Sequence, residues 1–129
     1  NISACKIGPS TTMIHKSIFD EVGLFDENLR VCEDYDLWLR VSREYDIGYV
    51  DLKLITKYAG HENQLSFSTF AIDTYRIKAL EKHLDGEYKT QVKEEIIKKS
   101  LLLIKGAKKH ENTSIINEYE QKLFLLNNI

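Results

Sequence analysis

The sequence predicts a helix-rich α/β chain with few short strands, closed by a C-terminal helical hairpin. Leu37, Val41 and Tyr45 recur every four residues, the spacing of a buried helical seam. Val50, Leu52 and Leu54 alternate with Asp51 and Lys53, the period of a half-buried strand. After Asp85-Gly86, two amphipathic stretches follow one another across a short polar link, the pattern of an αα-hairpin. With 129 residues, 43% of them hydrophobic, the chain holds material for one modest core.

Taken in order, Gly8-Pro9-Ser10 reads as a turn, because proline restricts φ and donates no hydrogen bond. Residues 11–14 follow it as a short extended segment. Ser17 is the expected N-cap of a short helix through Val22, with Gly23 as its stop. The next helix covers residues 33–45, with Trp38 beside its seam, and residues 47–56 form the strand. Residues 57–63 include Gly60, His61, Glu62 and Asn63, a polar loop of the kind that carries function at the rim of a scaffold. Ser66 or Ser68 opens a helix to about residue 84, with Phe70, Ile77, Leu80 and Leu84 on one face. Val92, Ile96, Leu103 and Ala107 then mark a long helix. Ile115 or Ile116, Tyr119, Leu123 and Leu126 mark another, and the two join near residues 111–113. One hairpin is not a repeat array.

Composition excludes several classes. Eighteen basic against twenty acidic residues give a net charge of -2, with no surplus to neutralise phosphates, so nucleic acid is not an expected partner. The lysines of residues 89–109 are interleaved with Glu94, Glu95 and apolar residues and read as a solvated helix face. His15, His83 and His110 lie among charged residues in helical stretches and read as surface. Cys5 and Cys32 lack the number and spacing of a disulfide framework or zinc site. They favour a reducing compartment, hence a cytoplasmic protein, at most peripheral at the inner face of a membrane. No apolar run is long enough to span a bilayer. The start at Asn1, without methionine or targeting pattern, is consistent with a piece of a longer protein. Nothing matches a Gly-rich phosphate loop, a nucleophile elbow or a cysteine metal site.

Glu33, Asp34 and Asp36 stand at the start of a helix, where the macrodipole stabilises each charge by about 0.3–1 kcal/mol. Asp34-Tyr35-Asp36 spells D-x-D, a string that can hold a divalent metal. On a helix, however, side chains two residues apart point about 200° around from each other and do not converge on one ion. Arg40 is placed to pair with Asp36 four residues earlier, and Trp38 is as a rule a core residue. Asp26-Glu27-Asn28 is read as a turn, without the ligand spacing of a calcium loop.

Together, Gly23-Leu24-Phe25-Asp26-Glu27, then Glu33-Asp34-Tyr35-Asp36-Leu37-Trp38-Leu39-Arg40, a strand and the loop bearing His61 resemble a known order of motifs. It is that of the C-terminal half of the catalytic domain in family 2 glycosyltransferases of the GT-A fold, a bacterial-type architecture. The resemblance covers residues 7–84. It implies that residues 1–85 are the C-terminal part of such a domain and residues 86–129 a helical-hairpin extension. It implies an inverting transfer of a sugar from a nucleotide-sugar donor to the hydroxyl of a saccharide or lipid-linked acceptor. Asp34 matches the general base of the family, and Glu33 would orient the acceptor or tune Asp34. Trp38 and Gln64 would contact substrate. His61, in the loop that closes over the donor, would bind the metal or the diphosphate, the metal being Mn²⁺ or Mg²⁺ in the full-length enzyme. The nucleotide-binding half of the family, with its own D-x-D, has no counterpart here. The chain alone is therefore expected to be inactive, to bind no metal, and to self-associate through an uncovered apolar face. The rival reading is a noncatalytic helical interaction module whose acids only cap helices and whose hairpin does the binding; the sequence preceding Asn1 separates the two.

Overall fold

The computed structural model describes residues 1–56, 58 and 71–128. These residues form two compact units, one built from Asn1 and Ser3–Ile72 and the other from Asp73 onward with Ile2.

In the first unit, Pro9–Thr11 makes a single 3-10 turn in which the hydroxyls of Thr11 and Thr12 donate to the Gly8 carbonyl at 2.8 and 2.9 Å. Helix α1, Ser17–Val22, follows. The capping expected of Ser17 falls instead to His15, whose Nδ1 accepts the Ser17 backbone N–H at 3.3 Å. Gly23 stops α1 as its sequence position suggests, with φ of 81°, a left-handed conformation that only glycine adopts cheaply. Asp26 then holds a tight turn, its Oδ1 accepting the Asn28 backbone N–H at 2.9 Å.

Helix α2, Glu33–Glu44, turns its seam inward: Leu37, Trp38 and Val41 are 0%, 3% and 5% exposed. Cys5, Ile7, Ile14, Ile18, Phe19, Val22 and Tyr45 pack around them. Full burial of an aliphatic side chain of this size stabilises by about 1.5–3 kcal/mol, so this seam is what anchors α2.

The expected α/β architecture, a partial GT-A domain with few short strands, is not what forms. Among the described residues there are helices and turns and no strand. Residues 47–56 run without regular structure, and Tyr49, Val50, Leu52 and Leu54 are 86%, 63%, 68% and 75% exposed. The reason is physical. Alternation states which side chains would face a core, but a strand exists only when a neighbour takes its N–H and C=O groups, and no described segment does so.

In the second unit, helix α3, Asp73–Glu81, packs on α4, Lys89–Lys109, and α4 packs on α5, Thr113–Asn127. The expected hairpin is therefore present. Asn112 caps α5, its Oδ1 accepting the Ile115 N–H at 3.2 Å. Two surface readings are corrected here. His83 is buried, 8% exposed, in the turn that follows α3, where its backbone N–H donates to the Leu80 carbonyl at 2.9 Å. Lys99 and Glu95 are 6% and 8% exposed rather than solvated. Lys99 falls on the stripe of Val92, Ile96 and Leu103, and Glu95, one turn earlier, accepts its ammonium at 2.9 Å, with Asp73 at 3.7 Å.

Candidate active site

The entry to α2 places the acids. Cys32 precedes the helix in a left-handed conformation, φ 64° and ψ 18°, costly for a residue with a Cβ, and its carbonyl accepts the Asp36 N–H at 3.0 Å. This sharp turn starts α2 with Glu33 and Asp34 in its first turn, both half-exposed and near the positive end of the helix dipole.

The two aspartates of D-Y-D have separate partners. Asp36 is fully buried, and its Oδ2 accepts Arg40 Nε at 3.1 Å and Nη2 at 2.9 Å, the pairing anticipated from their spacing. The same guanidinium donates to the carbonyls of Val22 and Leu24, the latter at 2.8 Å, and so ties the end of α1 to α2. Tyr45 adds a second tie, its hydroxyl donating to the Glu21 carboxylate; that bond, before burial and neighbouring acids, raises its pKa above the usual tyrosine value. Asp34 belongs to another neighbourhood. Its Oδ1 accepts the Tyr35 N–H at 2.7 Å, and the Cys5 thiol lies 3.7 Å from Oδ2.

These contacts do not fit a shared divalent ion. Asp36 is committed to a guanidinium inside the fold while Asp34 stands half-exposed beside Cys5, and among the described residues no three His, Cys, Asp or Glu side chains gather as ligands. Trp38 sits in the core cluster, its indole N–H buried without an acceptor among the described residues. His61 and Gln64 lie outside the described residues.

Sequence reasoning missed Cys5. It stands 29 residues from Asp34, in no motif, and a contact across that separation leaves no periodic trace. The left-handed Cys32 was equally silent, since glycine or asparagine is the usual sign of that conformation.

A carboxylate at a helix mouth, half-exposed and backed by a closed apolar seam, can accept a proton from a substrate at the surface. The chain is similar to proteins named as glycosyltransferases. Over 100 residues it is 33% identical to an uncharacterized glycosyltransferase of Rickettsia prowazekii, covering 75% of this chain and 27% of that protein. Over 54 residues it is 37% identical to an uncharacterized glycosyltransferase of Rickettsia typhi, covering 42% of this chain and 17% of that protein. The chain thus matches about a quarter or less of the length of these relatives. No family model matches it, and no solved structure does. No helix among the described residues is long and apolar enough to cross a membrane.

Proposed function

We propose that the chain works as part of a longer, family 2-like glycosyltransferase of inverting type, with Asp34 as its general base. The acceptor hydroxyl oxygen attacks the anomeric carbon of a nucleotide-activated sugar from the face opposite the leaving group. The bond to the nucleoside diphosphate breaks with its electron pair going to the diphosphate, and Asp34 takes the hydroxyl proton. Glu33, beside it on the rim, orients the acceptor. The roles by resemblance of His61, towards metal or diphosphate, and of Gln64, towards substrate, belong to the same proposal.

The observation that carries the reading is the division of labour in D-Y-D: Asp36 is buried and consumed by Arg40, while Asp34 stands half-exposed at the helix mouth. The names of the relatives support the reaction class. Among the described residues the acids do not converge on a metal ion, so the step assigned to them is the proton transfer at Asp34. The test is stereochemical. Incubating the longer protein with a panel of α-linked nucleotide sugars and sugar acceptors, and reading the product's anomeric configuration by proton NMR, is expected to give β-linked product; α-linked product would rule out the inverting step assigned to Asp34.

A further inference from the structure

We propose that Cys5 is a positioning residue for Asp34, its S–H holding the carboxylate in the orientation used for proton transfer; this rests on the reading of Asp34 as the base. The Cys5 sulfur lies 3.7 Å from Asp34 Oδ2, within reach of a sulfur-donated hydrogen bond. The Tyr35 N–H holds Oδ1 at 2.7 Å, so each carboxylate oxygen has its own donor. The thiol is well placed to do this. Cys5 packs against the Leu37, Trp38 and Val41 cluster, its neighbour Ile7 packs there too, and the Lys6 N–H is held by Asn1 Oδ1 at 3.2 Å. The Ile7 carbonyl, 3.5 Å from the sulfur, competes as an acceptor, and a carboxylate draws a donor more strongly than a neutral carbonyl. A weak donor suits the task. A guanidinium of the kind that holds Asp36 would occupy the lone pairs that the acceptor hydroxyl must reach, whereas a thiol orients the group and yields.

The contact and the role are tested separately. Iodoacetamide labelling of the whole chain, resolved by peptide mass spectrometry, reads the contact without any turnover. A carboxylate beside the sulfur disfavours the reactive thiolate, so Asp34→Asn is expected to speed Cys5 labelling about three- to tenfold while leaving Cys32 unchanged. Equal Cys5 rates in the two proteins overturn the contact and the proposal with it. The role is read in the longer protein with a nucleotide sugar from the panel above. Cys5→Val keeps apolar volume but removes the donor and is expected to lower kcat about three- to tenfold with KM little changed, with Cys5→Ser restoring most of it. If Cys5→Val turns over like the wild type, or Cys5→Ser fails like valine, positioning through the S–H is wrong. If instead Asp34→Asn keeps full turnover, the base assignment has failed and the catalytic role of Cys5 falls with it, whatever the labelling shows.

Discussion

Arg40 reaches the Asp36 carboxylate and two carbonyls at the end of α1, so one side chain neutralises a buried acid and joins two helices. Removing it takes the guanidinium away from a carboxylate that has no exposure to water. Arg40→Ala is expected to destabilise the chain by about 3 kcal/mol in urea unfolding. The paired replacement Arg40→Met with Asp36→Leu should cost markedly less, because the buried charge goes too, and equal losses would show that the ion pair matters less than the side chain's packing. Tyr45 gives a pH-dependent counterpart. Its hydrogen bond to Glu21 raises its pKa in the folded chain, so the folded state holds the phenolic proton more tightly than the unfolded one. Its contribution is therefore complete below the ordinary value of 10.0 and disappears as pH rises through the raised one. Tyr119 has the same sign, raised first by burial and opposed by a hydrogen bond with Thr74. Thermal melts across this alkaline range should fall less steeply for Tyr45→Phe than for the wild type.

At the scale of elements, the hairpin α4–α5 depends on a short link closed by Asn112. Asn112→Ala leaves the Ile115 N–H without its acceptor and should lower stability by about 1 kcal/mol, read from the urea midpoint. The hairpin, the α2 seam, the Gly23 stop and the Arg40–Asp36 pair were legible in the sequence because each is set by residues within a turn or two of one another. The strand over residues 47–56 was not, because its existence depends on a partner that alternation cannot supply. Lys99 was misread as solvated because composition marked it charged, while its register with Val92, Ile96 and Leu103 put it inside. The pattern of an amphipathic helix likewise says which face is buried but not against what, so the packing of α3 on α4 was unreadable. For the site, the acidic pair at the mouth of α2 was legible from its motif, whereas the Cys5 contact and the left-handed Cys32 arise only from tertiary placement.

At the scale of the whole molecule, this chain corresponds to a small share of its relatives' length, and the acids described here do not assemble a cation site. Calorimetric titration of the chain with Mn²⁺ and a nucleotide sugar is therefore expected to show no more than weak binding, with micromolar affinity for the donor contradicting that expectation. The exposed apolar residues between Ile47 and Ile55 mark a surface with no partner among the described residues. Turnover by the longer protein is assigned to a single carboxylate, and one substitution probes it. Asp34→Asn keeps the size and hydrogen-bonding capacity of the side chain while removing the basic oxygen. Steady-state turnover of the variant, measured beside its affinity for the donor, is predicted to fall by about 10² to 10⁴ with donor affinity nearly unchanged. Turnover close to that of the wild type would contradict the assignment of Asp34 as the base.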